Sequence, residues 1–185
     1  MKKLLLLLLC VPLIGFGQEC KFLKNEVDDM TGEKTIITNG TLLCNKLFEP
    51  SLSIQPISIN NSYYFAFSNR RMGEFNISQG NKVIIKLEND ELITLIVKSS
   101  VSKLLLRSEV DKTMDQYDAN FEADISLEQL TKLSKSKIQK IRIYYDEGAE
   151  NLRAGMYYWE KDNFNVKKTD KFLKLINCLL EESKQ

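Results

Sequence analysis

Apolar residues recur at every second position in four stretches of this chain, the period expected of strands with one dry and one wet face. In the clearest, Tyr117, Ala119, Phe121, Ala123 and Ile125 alternate with Asp118, Asn120, Glu122 and Asp124. Tyr63, Phe65 and Phe67 follow the same rule, as do Val83, Ile85 and Leu87, and Ile141, Ile143 and Tyr145. Leu92 to Val97 is apolar at nearly every position, which predicts a central strand covered on both sides.

Turn chemistry separates these runs. Asn89-Asp90 stands between Val83–Leu87 and Leu92–Val97 and reads as a β-hairpin. Asp28-Asp29-Met30-Thr31-Gly32 joins Phe22–Val27 to Thr35–Thr38, with Gly32 supplying a positive φ. Asn60-Asn61 turns Ile57–Ile59 into Tyr63–Phe67, so most neighbouring strands are antiparallel.

The period changes twice. Ser126 precedes Leu127, Leu130 and Leu133, with Gln129 at the third helical position, a capping box that predicts a short helix near 126–135. Phe172, Leu175, Ile176, Leu179 and Leu180 form an apolar stripe that predicts a C-terminal helix near 169–183, packed on a sheet face. About eight or nine mostly antiparallel strands with two helices define an α+β domain. No low-complexity tract, repeat or Pro/Gly-rich linker interrupts it, so residues 18–185 read as one domain.

The segment before Gln18 has a different character. Lys2 and Lys3 precede Leu4–Leu9, Val11, Leu13 and Ile14, and small Gly15 and Gly17 flank a cleavage position before Gln18. Charge, apolar run and small residues in that order predict a signal peptide over residues 1–17. The apolar run is shorter than the ~20 residues that span a bilayer as a helix. Leu9 before Cys10 and Glu19 before Cys20 fail the small-residue requirement of a lipid-attachment site. The expected product is therefore periplasmic or secreted, with no transmembrane segment after cleavage.

Cleavage removes two lysines and takes the formal net charge from +1 to slightly negative. A near-neutral chain has no overall electrostatic reason to seek nucleic acid or anionic lipid. Cys20, Cys44 and Cys178 remain, and outside the cytoplasm one disulfide can persist. Cys20–Cys178 is the favoured pair because it ties the first strand to the last helix, with Cys20–Cys44 as the alternative. So long a loop contributes about 4–5 kcal/mol in the chain-entropy account.

The chain contains no histidine. That excludes Ser-His-Asp and Cys-His nucleophile activation and all His-ligated metal chemistry. Glu26, Asp28, Asp29 and Glu33 crowd the first hairpin, but their spacing is not that of an EF-hand and such residues are ordinary in exposed turns. Cys44 lacks a His or CxxC partner to activate it and reads as a buried or leftover thiol. Lys132, Lys135, Lys137, Lys140 and Arg142 read as a polar helix face running into a strand edge, with an anion patch as the alternative. Ser78-Gln79-Gly80-Asn81-Lys82 is a turn before a strand, unlike a phosphate loop, which a helix follows. No cofactor and no metal are called for. Tyr144, Tyr145, Tyr157, Tyr158 and Trp159 are the best candidates for a binding surface, Tyr144, Tyr157 and Trp159 above all. Consecutive strand residues point to opposite faces, and Tyr and Trp are favoured at interfaces.

Lys24 through Lys34, Gly80-Asn81-Lys82-Val83, Leu87-Glu88-Asn89-Asp90, Leu127-Glu128-Gln129-Leu130 and Ile141-Arg142-Ile143 together resemble small secreted proteins of Bacteroides-like bacteria. The resemblance implies export and a single β-rich domain, and it brings no activity and no catalytic residue with it. The expectation is an exported, non-enzymatic domain that binds a protein or other envelope component, at the cell envelope or outside the cell. A carrier of small ligands or lipids, with a pocket between sheet and C-terminal helix, is one alternative. A histidine-free hydrolase of cell-wall or glycan material is another.

Overall fold

The computed structural model describes residues 20–44, 51–72, 75–106, 115–146, 161–165 and 169–184. In chain order the elements are β1 (Phe22–Val27), β2 (Lys34–Thr38), β3 (Thr41–Cys44), β4 (Ser51–Ile59), β5 (Ser62–Met72), β6 (Lys82–Leu87), β7 (Leu92–Leu106), β8 (Gln116–Ile125), α1 (Leu127–Leu133), β9 (Ile138–Tyr144), β10 (Lys161–Asn165) and α2 (Thr169–Glu182). Nine strands lie in the order β1-β2-β4-β5-β8-β7-β6-β9-β10, and β3 pairs with β4 beside β2. Every pairing among the described residues is antiparallel. The expected α+β, mostly antiparallel architecture is the one observed.

The turns work as their residues dictate. Asn60 and Asn61 both adopt positive φ, +47° and +60°, in the two-residue link between β4 and β5. Gly32 at φ +72° closes the β1–β2 hairpin. There the Asp28 carboxylate accepts the Thr31 N–H at 2.7 Å, the Thr31 hydroxyl at 2.9 Å and the Met30 N–H at 3.0 Å. These bonds, led by those from Thr31, hold the Asp28 carboxyl below its ordinary pKa.

Pro56 stands inside β4, a strand paired on both sides, where a missing N–H would normally break the ladder. The β2–β4 pairing ends at Ile37↔Ile57, and the β3–β4 pairing begins only at Thr41↔Ile54. Pro56 thus falls at the break between β2 and β3. Two side-chain bonds close that break, Thr38 Oγ1 to the Pro56 carbonyl and Gln55 Nε2 to the Thr38 carbonyl, both at 2.8 Å.

β7 is the pivot of the sheet. Its residues 92–96 pair with β6, its residues 97–106 pair with β8, and the register slips between Val97 and Ser99. A slip of one residue bends a strand and raises its twist. The two halves, β1-β2-β4-β5-β8 on one side and β6-β9-β10 on the other, share one core. Ile36, Ile54, Phe65, Phe121, Val83, Ile85, Ile93 and Ile141 all belong to it, together with Leu130 of α1 and Phe172, Ile176 and Leu179 of α2. Phe67 and Phe121 are cross-strand partners with stacked rings 4.7 Å apart. Such a pair adds about 0.5–1.5 kcal/mol beyond its area.

Both helices fall where the periodicity puts them. Ser126 accepts the Gln129 N–H and Gln129 returns a bond to the Ser126 N–H, a complete capping box. Gln129 Nε2 also reaches the Thr94 carbonyl at 3.2 Å, pinning α1 to β7. α2 buries Phe172, Leu175, Ile176, Leu179 and Leu180 as expected, and Cys178 with them. Cys178 bonds to Cys20, with Cα atoms 5.6 Å apart, so the favoured pairing is present. The Lys34 ammonium donates to the Glu182 carbonyl at 2.8 Å, a cation at the negative end of the helix.

Leu92–Val97 departs from expectation. Ile93, Leu95 and Val97 are buried, but Leu92 is 64% exposed and Ile96 48%. The strand is covered on one face only, and its other face joins the outer surface.

Candidate functional site

Three places carry polar or apolar groups that the fold alone does not demand. The first is buried, at the end of β5. The Arg71 guanidinium lies against the rings of both Phe75 and Tyr145, 5.3 and 5.2 Å from their centres, and the two rings meet edge to face 5.3 Å apart. Asn69 Nδ2 donates to the Tyr145 hydroxyl at 2.8 Å, while Asn69 Oδ1 is buried without a partner. The arrangement locks one end of the core. The sequence offers no signal for it, because Tyr145 reaches β5 only through the fold.

The second is a groove of about 780 Å³ beside the C-terminal end of α2, lined among others by Tyr63, Lys98, Asp124, Leu127, Leu180 and Ser183. Tyr63 donates to Ser183 Oγ at 2.9 Å across its floor, and Lys98 pairs with Asp124 at 3.3 Å on its wall. A smaller hollow of about 470 Å³ shares Lys98 and Asp124 on the other side of that ion pair. Where α2 lies directly over the sheet the space is filled, with the Phe65 and Phe172 rings 5.7 Å apart.

The third is the outer face of β6, β7 and β9. Because Val83, Ile85 and Leu87 point inward, Lys82, Ile84 and Lys86 point outward. Leu92, Thr94 and Ile96 of β7 and Lys140, Arg142 and Tyr144 of β9 lie outward by the same alternation. The registers set Lys82 opposite Ile96, Lys86 opposite Leu92, Ile84 opposite both Thr94 and Arg142, and Lys86 opposite Lys140. Four cationic residues and three aliphatic ones thus share one patch with Tyr144. Among the described residues these three strands contribute no acidic side chain to that face.

Like charges directly opposite across a ladder are destabilising. Lys86 and Lys140 hold that relation at the middle of the patch. Asp90, in the β6–β7 turn, offsets part of the repulsion through a 2.7 Å contact with Lys86, which also holds the Asp90 carboxyl below its ordinary pKa.

The candidates from sequence distribute as follows. Tyr144 lies on this outer face, half-buried, opposite Lys161 of β10 in register. Tyr157 and Trp159 fall outside the described residues. The basic run divides: Lys132 pairs with Glu128 at 3.2 Å, Lys137 with Asp170 at 2.6 Å, and only Lys140 and Arg142 reach the outer face. Cys44 ends β3. Asp28 is engaged in local hydrogen bonds of the first turn, the Glu33 carboxylate accepts from Asn60 Nδ2 in the β4–β5 turn at 3.0 Å, and Glu26 pairs with Lys24 at 3.5 Å. Among the described residues no group of three or more Cys, Asp or Glu is placed to hold a metal ion.

No protein-family model, curated protein or solved structure matches this chain, so its chemistry is read from its own residues.

Proposed function

We propose that this chain is an exported, non-enzymatic domain that binds an anionic partner at the cell envelope or outside the cell, through the outer face of β6, β7 and β9. The observation that carries this reading is the Lys86–Lys140 pair, two like charges set opposite each other amid exposed Leu92 and Ile96. The arrangement costs stability in the isolated domain and is relieved when an anionic surface covers it. Export is supported by the leader-like residues Lys2 to Gly17 and by the Cys20–Cys178 disulfide, a bond at home in oxidising compartments. The resemblance to small secreted proteins of Bacteroides-like bacteria points the same way.

A photo-crosslinking residue at Thr94, in the middle of the face, tests the reading in envelope-bearing cells. The same residue at Met30, 92% exposed on the distant first turn, is the control. Adducts formed from Thr94 and absent from Met30 are expected. Equal labelling from both positions, or turnover of a glycan by the purified protein that a carboxylate substitution abolishes, overturns the proposal.

The groove beside α2 favours a second reading, a carrier of small ligands, since its volume falls within the range of about 300–1,000 Å³ typical of such sites. A native mass spectrum with added mass that disappears on denaturation supports it, and a bare mass counts against it.

A further inference from the structure

We infer that the partner of the β6–β7–β9 face is the surface of an anionic lipid bilayer; the inference rests on the reading of that face as a binding surface. Two features of the face select a bilayer over other anions. The first is the interleaving of charge and apolar area. Each outward lysine of β6 stands directly beside an exposed aliphatic residue of β7, Lys82 beside Ile96 and Lys86 beside Leu92. A phosphorylated or carboxylated polymer satisfies the ammonium groups and leaves Leu92 and Ile96 in water. A lipid interface satisfies both, because lysine stems lie along apolar surface while their heads reach the phosphates. Tyr144 has the apolar body and polar tip that suit the same boundary.

The second is the state of the backbone. β6 is paired on both sides, with β7 and with β9, so no incoming strand can add to it there. Only side chains are on offer. They extend about 13 Å along β6 from Lys82 to Lys86 and about 10 Å across the three strands. The near-neutral net charge of the whole chain does not oppose this, since the field at a surface reflects the charges within about a Debye length of it.

The test is co-sedimentation of the chain lacking residues 1–17 with vesicles of phosphatidylcholine alone and of an equal mixture with phosphatidylglycerol. Binding is expected only to the mixed vesicles and weakens as salt is raised. Lys86→Gln with Lys140→Gln removes two interfacial cations and lowers the partition on the order of 30-fold. Leu92→Ser with Ile96→Ser lowers the salt-resistant part of the binding. Lys24→Gln with Lys103→Gln, on the other half of the sheet, leaves binding unchanged. Equal binding to both vesicle types, or equal loss from the two lysine pairs, overturns the inference. Absence of vesicle binding together with a protein adduct from Thr94, including one with a second copy of the chain, overturns the lipid occupant and leaves the face as a binding surface. Absence of both overturns the two together.

Discussion

Replacing Cys20 by Ser and Cys178 by Ala opens a loop that spans nearly the whole described chain. The two cysteines are 158 residues apart, and the chain-entropy relation assigns a loop of that length about 5 kcal/mol at 25 °C. Domains of this size are stable by about 5–15 kcal/mol, so the bridge is the largest single constraint on the fold. Little else secures the N-terminal strand. Phe22 packs partly against the core, Leu23 and Val27 are exposed, and among the described residues β1 is otherwise held by its ladder with β2. Cys178 itself is buried in the helix–sheet interface at 3% exposure, which shields the native bond from reductant. The paired substitution is therefore a cleaner perturbation than a thiol reagent. Urea unfolding followed by far-ultraviolet circular dichroism, on oxidised protein and on the variant, measures the difference. The variant is expected to lose about 5 kcal/mol, to show a steeper dependence on urea because its denatured chain is less compact, and to melt about 10–20 °C lower. Hydrogen exchange adds a local readout, with the amides of β1 the first to lose protection. A loss under about 1 kcal/mol with unchanged urea dependence refutes the reasoning, because the loop would then not be restricting the unfolded ensemble.

Phe172→Ala removes the α2 ring that meets Phe65 in a fully buried contact and is expected to cost about 3–5 kcal/mol in urea unfolding. Tyr145→Phe leaves the buried Asn69 amide without its acceptor and is expected to cost about 1–3 kcal/mol by the same measurement. Lys140→Gln relieves the repulsion opposite Lys86 and is expected to stabilise the domain by about 0.2–1 kcal/mol, read as a higher thermal midpoint, while lowering binding at the outer face. The Asp170 carboxylate holds the Lys137 ammonium above its ordinary pKa of 10.5 in the folded chain. The contribution of that pair is therefore present at neutral pH and is lost as the pH rises through the raised folded value. Lys137→Gln and the unchanged protein should differ slightly in thermal midpoint at neutral pH and converge in strongly alkaline buffer.

Local signals in the sequence resolve the elements well and their faces less well. Alternation, Asn-Asn and Gly turns and the Ser126 capping box act over a few residues, and each puts its element in the right place. The disulfide was legible because the two cysteines flank the first strand and lie within the last helix, so tertiary closure and sequence agree. Leu92–Val97 misleads because an apolar run reports what a strand could bury, and only neighbouring elements decide which face is covered. The cationic face was hidden for a different reason. Lys82 and Lys86 lie on β6, Lys140 and Arg142 on β9, and antiparallel register alone brings them together. A window along the chain sees two separate basic residues, then a basic run dominated by Lys132, Lys135 and Lys137, which belong to α1 and the segment after it.

The slip in β7 between Val97 and Ser99 explains why one sheet carries two different surfaces. Before it, Leu92, Thr94 and Ile96 point outward; beyond it the outward set shifts by one, to Ser99, Val101 and Lys103, opposite Glu122, Asn120 and Asp118. In that second half opposite charges answer each other: Lys98 pairs with Asp124 at 3.3 Å, Arg70 stands opposite Asp118, and Ser68 donates to Asp118 at 2.9 Å. The half built on β6 and β9 takes an acidic partner from the β6–β7 turn, where Asp90 lies 2.7 Å from Lys86, and across the ladder it places Lys86 opposite Lys140. Both halves arise from one sheet and one core, so packing does not require the difference. On the proposed reading, lysine set opposite lysine in one half of a sheet whose other half sets opposite charges across the ladder is the mark of a surface shaped by what it binds, and the cationic and aliphatic face of β6, β7 and β9 is the part a partner meets.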